Sequence, residues 1–112
     1  MQIQVHTDHN IHGYESLAAV ARASVEDALR HVSRQITRVE VHVADENGGK
    51  HGSDDKRCVM EARLEGHQPM AVTHHAGSVA EAIDGAAEKL EHLIGHTLGR
   101  RQSHRAAPIL SE

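Results

Sequence analysis

The chain has 112 residues, enough for one domain, with no Trp, no Phe and one Tyr; 12 Lys and Arg against 16 Asp and Glu leave a formal charge of −4 beside twelve His. That inventory excludes single-strand readers of the recognition-motif or cold-shock type, which stack bases on several aromatic side chains. The lone Cys58 cannot form an intramolecular disulfide, the start MQIQVHTDHN has neither a basic n-region nor an apolar run, and no stretch approaches the ~18 apolar residues of a membrane span. A soluble cytoplasmic protein of a reducing compartment is expected, with no signal peptide and no membrane partner.

Gln2, Ile3, Gln4, Val5 and His6 alternate polar with apolar, as a strand with one buried face does. After an entry loop, HNIHG, the spacing of Leu17, Val20, Ala21, Val25, Ala28, Leu29 and Val32 predicts an amphipathic helix over 15–34. Alternation returns at 38–45, with Val39, Val41 and Val43 on one side and Arg38, Glu40 and His42 on the other. The polar run ENGGKHGSDD at 46–55, with three glycines, is too long for a two-residue hairpin. Beyond it Cys58, Met60, Ala62 and Leu64 alternate with Val59, Glu61, Arg63 and Glu65. Gly66-His67 makes a tight link to a strand containing Met70, Val72 and His74, which Pro69 marks as beginning there or lying at an edge.

Ser78, with Glu81 three positions on, forms a capping box that opens a second helix, whose buried line is Val79, Ile83, Ala86, Ala87, Leu90, Leu93, Ile94 and Leu98. Gly85 and Gly95 each weaken that helix by about 1 kcal/mol relative to Ala, a cost that close helix-to-sheet packing would offset. Gly99 is the expected helix stop. The chain then divides into a domain over 1–98 and a basic, flexible C-terminal tail over 99–112. Four strands with one apolar face each and two amphipathic helices give an α+β two-layer sandwich, β-α-β-β-β-α, with both helices on one face of a four-stranded sheet. The other face is polar, and its charges of alternating sign are expected to pair across strands.

This order, the opening MQIQV and the run AEAIDGAAEKLEHLI resemble the ribosome hibernation promoting factor and ribosome-associated inhibitor family, also called sigma-54 modulation proteins, in its short form. A family phrase of the form A-I-D-x-x-x-x-K-L is matched by Ala82, Ile83, Asp84, Lys89 and Leu90. The resemblance covers roughly residues 1–98. It implies a non-enzymatic protein that binds the small ribosomal subunit through rRNA and blocks the path of messenger and transfer RNA. Family members commonly carry lysines on the first helix, where this chain has Ser24, Glu26 and Asp27.

RNA affinity rests largely on neutralised phosphates, so a chain at −4 must concentrate its cations. Arg30, Arg34 and Arg38 recur every four residues, the first two stacking at the end of the first predicted helix, where the macrodipole favours cations. Lys56, Arg57 and Arg63, with Lys50, line the long loop and third strand. From His92 to Ser111 there is no acidic residue, while Arg100, Arg101 and Arg105 add positive charge. With Lys89 carried over from the family phrase, the candidate RNA contacts are Arg30, Arg34, Arg38, Lys56, Arg57, Arg63, Lys89, Arg100 and Arg101.

No cofactor and no small-molecule substrate are expected. Glu88, His92 and His96 have a helical spacing that can hold zinc, though three ligands need a fourth group or water. His74-His75 and His9-x-x-His12 are weaker candidates. An ordinary His titrates near 6.5, so full protonation of the twelve would carry the formal charge from −4 to +8. No nucleophile with a partnered base and no Walker-type loop is present, so no enzyme is expected; Cys58 lies on the predicted core face. A second reading is a non-ribosomal binding module on the same fold, His-dependent in metal or pH response, or a weak homo-oligomer through an edge strand.

Overall fold

The computed structural model describes residues 1–8, 11, 13–46 and 55–110, the last eleven by their backbone only. Strand β1 (Gln2–Thr7) leads into helix α1 (Tyr14–Ala28), a 3-10 segment η1 (Arg30–Gln35), strands β2 (Ile36–Asp45), β3 (Lys56–Leu64) and β4 (Met70–Ala76), and helix α2 (Val79–Leu110). The sheet order is β1-β2-β3-β4, with β1 parallel to β2 and the other pairs antiparallel. This is the expected α+β sandwich, and β4 is an edge strand that begins directly after Pro69.

The alternations predict the buried face. Val5, Val39, Val41, Val43, Cys58, Met60, Ala62 and Leu64 are buried against Leu17, Ala21, Val25, Ile83, Leu90 and Ile94 of the helices. Ile36 joins them out of phase because the β2–β3 register shifts between Ile36 and Arg38; Thr37 spans that irregularity by donating its hydroxyl to the Arg63 carbonyl at 2.9 Å. Without Phe or Trp, the interior is filled by aliphatic side chains and many alanines. The one aromatic, Tyr14, is 47% exposed and donates its hydroxyl to the Val5 carbonyl at 3.0 Å, pinning the start of α1 to β1. Cys58 is fully buried, and burial pushes its thiol up to about 12, so it packs as a small apolar residue and not as a thiolate.

Three expectations are corrected. The first helix ends at Ala28, not at residue 34: Leu29 donates to the Val25 carbonyl, and the next turn tightens to Val32 N–H on the Leu29 carbonyl, bringing the chain into β2. Leu29 and Val32 are three apart, which an α-helix and a 3-10 turn satisfy equally well. Val20, placed in the core by its spacing, is 45% exposed. Gly99 does not stop α2, which runs on to Leu110; among the described residues only Gly13 and Gly66 adopt the positive φ that a glycine stop uses. The capping box is present, with Glu81 N–H donating to Ser78 Oγ at 3.2 Å and that hydroxyl donating to the Glu81 carboxylate at 3.2 Å. Gly66, at φ 79°, turns β3 into β4. The loop residues 47–54, Lys50 among them, and His9 and His12 lie outside the described residues.

The two helix glycines separate cleanly. A Cβ on Gly85 would overlap the His74 ring of β4, so glycine lets α2 lie directly on that strand; a Cβ on Gly95 would meet nothing, so close packing does not account for it. Gly85→Ala is expected to destabilise by about 1–3 kcal/mol through overpacking, and Gly95→Ala to stabilise by roughly 0.5–1 kcal/mol through helix propensity. Urea unfolding of both variants checks this; equal midpoints would contradict it.

Candidate nucleic-acid interface

The sheet face turned away from the helices is built by register. Gln4, Glu40, Glu61 and Ala71 form one row across the four strands, and His6, His42, Val59 and Thr73 the next. Arg38 lies opposite Arg63, so like charges face each other in two adjacent rows, which is unfavourable taken alone. For these two rows the compensation runs along the strands, while the expected cross-strand pairing is found at Glu46 and between His6 and Glu40 at 3.5 Å. Arg38 Nη2 lies 3.0 Å from Glu40 Oε2, and Arg63 Nη2 lies 3.4 Å from Glu61 Oε1. At the end of β2, Glu46 receives Arg57 at 3.7 Å and His75 at 3.2 Å.

Of the nine candidate RNA contacts, Arg38, Arg57 and Arg63 share the open sheet face, Arg38 beside Arg63 and Arg57 six residues away at the other end of β3. Arg30 and Arg34 lie on η1, where three residues make a turn, so the expected stacking four apart is lost. Arg30 pairs with Asp27 at 3.0 Å, whereas Arg34, like Arg22 of α1, has no ion pair among the described residues. Sequence reasoning passed over Arg22, which has no motif around it. Lys56 is drawn to the base of the 47–54 segment, 2.9 Å from Asp55 and 3.7 Å from Asp45, both buried. Its hydrogen bond holds the Asp55 carboxyl below the usual carboxylate range, and Asp55 in turn holds the ammonium above its own. Lys89 donates to the Thr73 carbonyl on edge strand β4 at 2.9 Å. The side chains of Arg100 and Arg101 lie outside the described residues.

The A-I-D phrase thus acts structurally. Ala82, Ile83 and Leu90 are buried, and Asp84 accepts from the Ser24 hydroxyl at 2.7 Å, tying α2 to α1. Above that bond runs a groove of about 670 Å³ between the helices, with an apolar floor that includes Val20 and Ala87 and a rim of Asp27, Asp84, Glu88 and Glu91. No Lys or Arg lines it. The groove between the helices is lined by carboxylates without a cation, and the open sheet face carries Arg38, Arg57 and Arg63, each against a glutamate.

The proposed helical metal set is not assembled: Glu88, His92 and His96 do not converge, and His92 lies 3.6 Å from Glu91. Among the described residues the one group of three such ligands is His6, Glu40 and His42, from strands 36 positions apart in register and so invisible to local spacing.

Residues 3–102 match the family described as sigma 54 modulation protein / S30EA ribosomal protein. No curated protein sequence matches the chain. The fold is similar to the N-terminal domain of Protein Y from Thermus thermophilus, with a TM-score of 0.67 at 16% identity over 87% of this chain and 99% of that one. It is similar also to a ribosomal subunit interface protein from Coxiella burnetii, with a TM-score of 0.64 at 14% identity over 88% of this chain and 99% of that one. Among the described residues no helix is long and apolar enough to cross a membrane.

The Asp55–Lys56 pair has a definite pH signature. A carboxyl held below its ordinary 3.8 contributes stability that is present above that pH and lost as the pH falls through the lowered folded value. Asp55→Asn is therefore expected to be less stable than the native chain at pH 7 and to close the gap as the pH falls below about 4. Urea midpoints from pH 7 to pH 2 measure this, and a gap that persists into acid would contradict it.

Proposed function

The chain belongs to the sigma-54 modulation protein / S30EA ribosomal protein family, and we propose that it is a non-enzymatic, cytoplasmic protein that binds the small ribosomal subunit. On this reading it contacts rRNA phosphates, occupies the path of messenger and transfer RNA, and so inhibits translation by idle ribosomes. The observation that carries the reading is the family match over 100 of 112 residues, residues 3–102. The likeness in fold to a protein titled a ribosomal subunit interface protein agrees with it.

Charge decides which face meets the RNA. Four carboxylates rim the groove between α1 and α2, so phosphate is repelled there. The open sheet face offers Arg38, Arg57 and Arg63, each lying against a carboxylate of the same chain. The more exposed Arg57 and Arg63 pairs are worth at most about 1 kcal/mol each, so a phosphate can displace those carboxylates at small cost, whereas the Arg38–Glu40 pair is part-buried. Arg34 and Arg22 need no such exchange, having no ion pair among the described residues. Lys56 and Lys89, already tied to Asp55 and Thr73, would contribute least. The lack of stacking aromatics fits a protein that reads folded RNA through phosphates and shape.

Co-sedimentation of the full chain with small subunits over a range of salt tests this. Retention should weaken steeply as salt rises, and the Arg38→Ala/Arg57→Ala/Arg63→Ala variant should flatten the slope of log affinity against log salt by about 2, at about 0.7 per lost phosphate. A chain that stays at the top of the gradient at low salt would overturn ribosome binding, and an unchanged slope would overturn the sheet face as its site.

A further inference from the structure

We propose that His6, Glu40 and His42 form a binding site for a divalent transition-metal cation of the zinc class. The site follows from strand pairing. In the parallel β1–β2 ladder His6 is the partner of His42 and Gln4 of Glu40, and all four side chains leave the sheet on the open face. Neighbouring strands are spaced at about 4.8 Å, and the two imidazoles repeat that spacing: their centroids are 4.6 Å apart and their planes 14° from parallel. Glu40, two residues before His42 on the same face, extends its carboxylate to both rings. His6 Nε2 lies 3.5 Å and His42 Nε2 3.6 Å from the same oxygen, Oε1.

Three ligand atoms therefore converge on one point, all within 4.8 Å of one another. Zinc bonds of about 2.0–2.1 Å at tetrahedral angles require ligand atoms about 3.3 Å apart. Both N-to-O edges already approach that value, and rotation of exposed side chains closes the third. Two imidazoles with one carboxylate are a borderline donor set suited to zinc, and they leave an open position for water. Side-chain exposures of 48% for His6 and 50% for His42 give the cation and that water access.

The surroundings support the carboxylate. Its second oxygen, Oε2, is held by Arg38 at 3.0 Å, which fixes its orientation as outer groups do around metal ligands. Glu61, opposite Glu40, is engaged by Arg63, and Val59 lies opposite His42, so no second cation faces the point of convergence from β3. Elsewhere His31 and His92 lie on different oxygens of Glu91, and His75 shares Glu46 with Arg57, but among the described residues neither set brings three ligand atoms together. A bound cation would bridge edge strand β1 to β2. The site shares Arg38 and the open sheet face with the proposed ribosome contact, and zinc uptake by the free chain is read without ribosomes.

Calorimetric titration of the full chain with zinc chloride alone, in a non-coordinating buffer, tests it. One equivalent should bind and raise the thermal unfolding midpoint. His6→Ala, His42→Ala and Glu40→Gln should each weaken that equivalent at least about tenfold, whereas His92→Ala/His96→Ala should bind as the native chain does. Circular dichroism confirms that the variants are folded, as substitutions of half-exposed side chains should be. Zinc held elsewhere by other histidines would remain in the His6→Ala/His42→Ala variant. No uptake by the native chain, or full uptake by that double variant, would overturn the site.

Discussion

The parallel pairing of β1 with β2 is the constraint on which the rest of this structure depends. Parallel neighbours cannot be joined by a tight turn, so the chain between them must cross the sheet, and it does so as α1 and η1. That crossover lays Leu17, Ala21, Val25 and Leu29 on the sheet and brings Ser24 to Asp84 of α2. It also sets the register that stacks His6 on His42. The two hairpin strands that follow only extend what this pair begins, and α2 closes the remaining sheet surface.

The second controlling feature is the size of the interior residues. With no Phe or Trp, the helices lie close to the sheet on Ala18, Ala21, Ala62, Ala82, Ala86 and Ala87, and Gly85 rests on the His74 ring. A sandwich this close cannot admit an extra methyl group at that crossing. The polar contacts around it are equally local: Lys89 covers the Thr73 carbonyl at the sheet edge, and Asp84 is spent on Ser24. Residues that resemble a family phrase thus hold the scaffold, and the side chains free to meet a partner lie elsewhere.

Much of the scaffold was legible because its signals are local. Alternation at 39–43 and 58–64 names the buried face directly, Ser78 and Glu81 mark the start of α2, and Gly66 marks the turn before β4. The end of α1 was not legible, because Leu29 and Val32 suit a 3-10 turn as well as an α-helix, and the difference moves Arg30 and Arg34 off a common face. Gly99 reads as a stop by residue type, but only a left-handed backbone makes glycine a stop. The site was least legible. Whether Arg38 faces a carboxylate or a phosphate depends on Glu40 beside it, and the His6–Glu40–His42 convergence depends on a register between distant strands that no spacing reveals.

Acidic in total, the molecule has a groove between its helices lined by carboxylates without a cation, whereas its open sheet carries Arg38, Arg57 and Arg63, each against a glutamate. The central claim is that this second surface meets the small ribosomal subunit. Hydroxyl-radical footprinting of the chain, free and bound to small subunits, measures it directly. The account predicts protection of the outward side chains of β2 and β3 around Arg38, Arg57 and Arg63, with Val20 and the groove between the helices unchanged. Protection of that groove with the sheet face left open would contradict it.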